Sequence, residues 1–257
     1  MPQGVAGFFR LSSQHVIIAA VRSVATYVAV SVYVLFAASI GMLLEMIFRW
    51  TDILYILGHG GVRLGLALSG ITVRIAGAGN IPLDRAAVYC ANHQSNVDPP
   101  ILFTKLHPRM HVVYKAEINA IPLLARAFRH GGFVPIERRN KEAAMRSLEA
   151  GARSIRAGNS FLIFPEGTRS KTAEMLPFKK GGFLMALKAQ APIVPVAISG
   201  GRDAMQKGST IIRPVTVSIR VGQPIETAGM AMTDRDALIA TVRGRIEALL
   251  AEGPVVD

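Results

Sequence analysis

From Val24 to Leu44 the chain runs for 21 residues without a charge, with Arg22 before the run and Glu45 after it. At roughly 1.5 Å per residue, a helix of that length reaches about 30 Å, the hydrocarbon thickness of a bilayer. A secretory signal has a shorter apolar centre, roughly 7–15 residues, and a small-residue cleavage site. A buried core helix would also be apolar, but the length argues against it. So do Tyr27, Tyr33 and Trp50, whose rings favour membrane–water interfaces. A second apolar stretch from Ile53 to Gly70 differs, because it carries His59, Arg63 and five glycines. It makes a poor spanning helix and a better interfacial one, or one packed on the first. The sequence thus divides into an N-terminal two-helix hydrophobic membrane module over residues 1–70 and a domain over residues 71–257.

Beyond this module the charge is localised. The net charge is +12, and +10 of it falls in residues 101–200. A concentrated positive field selects an anionic partner: nucleic acid, an anionic membrane surface or a phosphorylated substrate. No nucleic-acid-binding motif is present, so no nucleic-acid partner is expected. A single cysteine, Cys90, excludes a disulfide framework and a cysteine-built zinc site. His107 and His111 stand four apart, but without a His-Glu-x-x-His pattern, and Leu106-His107-Pro108 reads as a helix end. No metal site is expected.

From Ile71 onward, short apolar runs alternate with polar helical stretches. Strands are expected at 72–76, 87–91, 111–114, 133–136, 161–164, 193–198 and 216–221. Helices are expected at 99–106, 122–130, 141–157, 181–190 and 234–252. This alternation predicts an α/β fold with a mainly parallel, helix-covered sheet. Several strands are apolar throughout, as strands buried on both faces are.

Two polar constellations follow apolar strands directly. The first is Asn92-His93-Gln94-Ser95-Asn96-Val97-Asp98-Pro99-Pro100. It puts His93 at a strand's C-terminal end, where open α/β sheets bind ligands. Asp98 has two readings. It can N-cap the helix that the prolines open. Alternatively, it can hydrogen-bond one imidazole nitrogen and leave the other free as a base. On a continuous helix the two side chains would point about 140° apart, so the second reading needs a turn between them. The second constellation is Phe164-Pro165-Glu166-Gly167-Thr168-Arg169-Ser170. A surface Glu–Arg pair contributes only about 0–1 kcal/mol, so stability is a weak reason for these charges. Lys115, Arg138, Arg139, Lys179 and Lys180 also fall beyond expected strand ends, an arrangement suited to a polyanion.

Together these blocks resemble the glycerolipid acyltransferase family, especially the 1-acylglycerol-3-phosphate acyltransferases. His93 and Asp98 fit its histidine–four–aspartate block. Gly132-Phe133-Val134-Pro135-Ile136-Glu137-Arg138 fits the second block, Phe164 to Ser170 the third, and Val194-Pro195-Val196-Ala197-Ile198 the fourth. The match runs over about residues 71–225. The resemblance implies acyl transfer from a fatty-acyl thioester to the free hydroxyl of 1-acylglycerol 3-phosphate, giving phosphatidic acid. His93 would be the general base and Asp98 its partner. Lys115, Arg138 and Arg169 would meet the acceptor's phosphate, and Glu166, Gly167 and Thr168 would complete the acceptor site. No cofactor is implied beyond the co-substrate, a thioester of acyl carrier protein or coenzyme A. The expected partners are that carrier, a lysophospholipid acceptor and an anionic membrane surface. The expected location is the cytoplasmic face of a bacterial cytoplasmic membrane. Two rivals remain: acylation of another acceptor, such as lyso-ornithine lipid or glycerol 3-phosphate, and a non-catalytic basic peripheral membrane protein.

Overall fold

The computed structural model describes residues 13–136, 141–172 and 174–256. It opens with two helices, α1 (Ser13–Phe48) and α2 (Asp52–Ser69). Seven strands follow: β1 (Thr72–Ala76), β2 (Val88–Ala91), β3 (Met110–Lys115), β4 (Val134–Ile136), β5 (Ser160–Ile163), β6 (Ile193–Ser199) and β7 (Thr216–Val221). Between and after them lie α3 (Asp98–Lys105), α4 (Pro122–His130), α5 (Lys141–Arg156), α6 (Gly181–Ala189), α7 (Gly201–Ala204) and α8 (Arg235–Ala251). Every expected strand and helix is present, and among the described residues the four-residue α7 is the one added α-helix.

The strands form one sheet in the order β1-β7-β6-β2-β5-β3-β4. Strands β6, β2, β5, β3 and β4 are mutually parallel, while β7 pairs antiparallel with β6 and carries β1 with it. The reversal has a local cause. Parallel neighbours need a crossover that packs a substantial element on the sheet. Between β6 and β7 the helix α7 is four residues long, and the chain simply turns back.

Both faces of the sheet are covered. Along β2 the side chains alternate, Tyr89 and Ala91 to one face and Val88 and Cys90 to the other, all fully buried. The first face packs against Ile101, Leu102 and Phe103 of α3 and Tyr55 of α2. The second packs against α5, α6 and α8 through Ala152, Phe183, Leu187, Val242 and Ile246. Burying one such large side chain contributes roughly 1.5–3 kcal/mol.

Helix α1 outruns its uncharged stretch because Arg22 does not interrupt it. Within it, Ile17–Phe48 is long and apolar enough to cross a membrane by length and composition, and an 18-residue window of it is only 11% buried. It forms an antiparallel hairpin with α2: Gly41 lies against Leu54 and Leu57, Gly60 and Gly61 against Tyr33, and Gly65 against Val30. Small residues at these crossings let the two backbones approach closely. The Tyr33 hydroxyl donates to Leu57 O at 2.9 Å, and the Arg22 guanidinium donates to Leu68 O in the last turn of α2. The hairpin is joined to the sheet domain as well. Tyr55 donates to Gly131 O at 2.7 Å, and Arg109 pairs with Asp52.

Because β2, β3, β4, β5 and β6 run the same way, their C-terminal ends share one edge of the sheet. The segments that follow β2, β5 and β6 therefore converge there.

Candidate active site

His93 lies two residues past the end of β2, and Asp98 is the first residue of α3. The loop between them supplies the turn that the pairing needs. His93 Nδ1 and Asp98 Oδ2 are 3.0 Å apart. The imidazole is 15% exposed and the carboxylate is fully buried. The carboxylate does not cap its own helix. Its Oδ2 turns back to accept the backbone N–H groups of Gln94 and Ser95, each at 2.7 Å. An ionised carboxylate can only accept, so a neutral His93 ring paired with it would donate from Nδ1 and keep a lone pair on Nε2. The ring also stacks on Phe164, with centroids 4.2 Å apart.

The rest of this loop is tied to the sheet. The Asn92 amide exchanges two hydrogen bonds with the backbone of Ile198 in β6, at 2.8 and 2.9 Å. Ser95 Oγ donates to Met205 O at 2.7 Å. Asp98 Oδ1 is buried without a hydrogen-bond partner among the described residues, and it faces Gly201. A Cβ at Gly201 would overlap that oxygen. Sequence reasoning missed Gly201. Its signal was the Gly200-Gly201 pair straight after an apolar strand, a mark of close backbone approach.

The loop after β5 holds the second group. Glu166 is 2% exposed, and both its oxygens accept backbone N–H groups: His93 at 2.8 Å and Leu176 at 2.9 Å. Burial pushes its carboxyl above the usual range, and the bonds from Leu176 and His93 pull it back. Ser170 N–H donates to His93 O at 2.9 Å, so the two loops are laced through the His93 backbone. Gly167 has φ +68°, the left-handed region that glycine enters without strain, and the Lys179 side chain lies across it. Arg169 Nη1 is buried without a hydrogen-bond partner among the described residues. Thr168 is exposed, and Lys207 Nζ lies 3.3 Å from its Oγ1.

The structure therefore brings His93, Asp98, Glu166, Gly167, Thr168 and Arg169 together at one sheet edge. Lys115 ends β3 at the same edge, in register with Ile136 of β4. Arg138, expected just beyond β4, lies outside the described residues.

A buried carboxylate orienting a histidine, beside unspent cationic groups, suits proton abstraction from an anionic substrate. The known proteins that this chain resembles narrow the chemistry. The acyltransferase family model matches residues 72–199. A 1-acyl-sn-glycerol-3-phosphate acyltransferase of Limnanthes douglasii is 31% identical over 206 residues, which cover 78% of this chain and 73% of the relative. The chain belongs to the acyltransferase family. The beta form of 1-acyl-sn-glycerol-3-phosphate acyltransferase from Homo sapiens is 34% identical over 158 residues, covering 61% of this chain and 57% of its own. The crystal structure of the 1-acyl-sn-glycerophosphate acyltransferase of Thermotoga maritima matches with a TM-score of 0.80 at 23% identity, over 92% of this chain and 97% of that one. The acyltransferase thus shares that fold over 92% of its length. Its family membership makes it an O-acyltransferase, and the matched span contains both polar loops.

Proposed function

We propose that this acyltransferase moves a fatty-acyl group from a thioester to the free hydroxyl of 1-acylglycerol 3-phosphate, giving phosphatidic acid. The observation that carries the mechanism is the 3.0 Å pairing of His93 Nδ1 with the buried Asp98 carboxylate. His93 Nε2 takes the proton of the acceptor hydroxyl as its oxygen attacks the thioester carbonyl. Asp98 holds the tautomer and stabilises the imidazolium that forms. When the carbon–sulfur bond breaks, the imidazolium returns its proton to the leaving thiolate. This follows serine-hydrolase logic, with the acceptor's hydroxyl in the place of an enzyme nucleophile. Cys90 does not compete for that role: it is fully buried in β2, and burial pushes its thiol well above the ordinary range.

Arg169 offers its unpartnered Nη1 to the acceptor's phosphate, with Lys115 and Arg138 as further cations. Glu166 acts through the backbone N–H of His93 and shapes the acceptor site with Gly167 and Thr168. The donor is a thioester of acyl carrier protein or coenzyme A, with no further cofactor.

The same reading places the protein on the cytoplasmic face of a bacterial cytoplasmic membrane, with the hairpin in one leaflet. Helix α1 touches the sheet domain at two well-separated places. Ser23 Oγ accepts from Ile212 N–H at 2.8 Å, and Glu45 pairs with His130 at 3.0 Å. These contacts are 22 residues apart, about 33 Å along a helix. A perpendicular α1 would pull the catalytic domain into the hydrocarbon. Lying flat, it presents Val24, Val28, Phe36 and Leu43, all exposed, to lipid.

The test uses purified full-length protein with radiolabelled 1-acylglycerol 3-phosphate, lyso-ornithine lipid or glycerol 3-phosphate, each with either acyl donor. Labelled phosphatidic acid, lost in His93→Ala, is the expected product. Acylation of lyso-ornithine lipid alone would overturn the assignment of the acceptor.

A further inference from the structure

We infer that Lys207, which lies outside all four sequence blocks, binds the anionic headgroup of the acyl acceptor. The inference rests on the reading of that acceptor as a phosphate monoester. Lys207 belongs to the segment that leaves the C-terminal end of β6, at the edge that carries His93. The segment is fixed at three places. Gly201 abuts Asp98, Met205 O accepts Ser95 Oγ, and Ile212 N–H donates to Ser23 Oγ of α1. Lys207 is an exposed residue beside Gly208, whose φ is +93°.

The ammonium group is placed on the second polar loop. Its Nζ donates to Arg169 O at 2.8 Å and to Thr168 Oγ1 at 3.3 Å. Both are uncharged oxygens, and an ammonium has three donors. No carboxylate pairs with Lys207, Arg169 or Lys179 among the described residues. Nearby Lys180, by contrast, pairs with Asp236 at 3.6 Å. The loop's own carboxylate, Glu166, has both oxygens on backbone N–H groups. Three cations thus gather round one loop without a counter-ion, and one of them has a buried guanidinium nitrogen with nothing to bind. A dianion that reached this loop would meet these cations through charge-assisted hydrogen bonds. A phosphate monoester near neutral pH carries a charge of about −1.5 to −2 and three acceptor oxygens. The ammonium that now bonds the loop's oxygens can turn its remaining donor to that group. A lysine serving only to latch the loop would do the same structural duty without needing two other unpaired cations beside it.

The experiment compares the wild type, Lys207→Met and Lys207→Arg as full-length proteins in mixed micelles. It varies 1-acylglycerol 3-phosphate at saturating donor, and then the donor at saturating acceptor. Lys207 is exposed, so both variants are expected to fold, and thermal midpoints matching the wild type check this. The expected result is a rise of about ten-fold in the acceptor KM of Lys207→Met, an unchanged donor KM, and recovery of most of the loss in Lys207→Arg. An unchanged acceptor KM overturns the inference. So does a fall in kcat with both KM values unmoved, which is what a loop latch would give. A wild type that acylates no phosphate-bearing acceptor removes the proposed function, and the inference falls with it.

Discussion

The two loops at the sheet edge spend their polar groups in opposite ways. After β2, nearly every group is used internally. Asp98 Oδ2 takes two backbone N–H groups and His93, Asn92 grips β6, and Ser95 grips Met205. After β5, the carboxylate is turned inward while cationic groups are left unpaired. The difference follows from the two tasks. A general base must be held within a fraction of an ångström of its working geometry, so its loop is closed on itself. A binding site for an anion must keep positive charge in reserve until the ligand arrives.

The comparison breaks most completely if the first loop proves dispensable. His93→Ala should cost at least 10²–10⁴-fold in acyl transfer at constant thermal midpoint. Near-normal turnover by a folded variant would remove His93 as the base.

Next in size are the two changes that leave His93 in place and disturb its partner. Asp98→Asn puts an amide where the carboxylate accepts two N–H groups and the imidazole, so the imidazolium loses its counter-charge. A capping role would tolerate the change, because Asn caps about as well as Asp. Gly201→Ala acts from the other side by crowding Asp98 Oδ1. Both should lower kcat by ten-fold or more with little change in acceptor KM. Gly201→Ala with wild-type kcat would show that Asp98 can shift without penalty.

A smaller effect tests whether the two loops are joined. In Glu166→Gln one buried backbone N–H, of His93 or Leu176, faces an amide N–H instead of a carboxylate oxygen. Leaving such a donor unsatisfied costs about 1–3 kcal/mol. The thermal midpoint should fall, and kcat should fall with it as the His93 backbone loosens. If only the midpoint moved, Glu166 would serve folding alone.

How much of this was legible in the sequence follows the same division. The strands were plain because β2, β5 and β6 are apolar on both faces, and a doubly buried strand can hardly be otherwise. The His93–Asp98 pairing was legible as a possibility, because an apolar strand and two prolines bracket the turn that it requires. The direction of the Asp98 carboxylate was not legible, since Asp-Pro-Pro signals a cap equally well. Gly201 and Lys207 were hidden for another reason. They approach the site only because β6 lies beside β2 and the chain turns back at a four-residue helix. The reversal of β7 and β1 was hidden likewise, because strand direction depends on how a connection packs. The charge surplus in residues 101–200 pointed to an anion, but Lys207 falls beyond that window.

The smallest effect, that of Arg169→Lys, sharpens the contrast between charge and geometry in the second loop. Arg169 has a guanidinium nitrogen buried without a partner, in a loop whose carboxylate is committed elsewhere. A charge-assisted hydrogen bond to phosphate contributes roughly 1.5–3 kcal/mol. Arg169→Ala should therefore raise the acceptor KM by about ten-fold or more and move the donor KM less. Arg169→Lys keeps the charge and removes the planar fork, so it separates two accounts of the site. If only positive potential matters, Lys restores the acceptor KM. If the fork meets two phosphate oxygens, the Lys variant stays several-fold impaired. A simultaneous fall in kcat would mean that the bound phosphate also sets the acceptor hydroxyl against His93 Nε2. Equal losses for acceptors with and without phosphate would show that Arg169 supports the loop rather than the ligand.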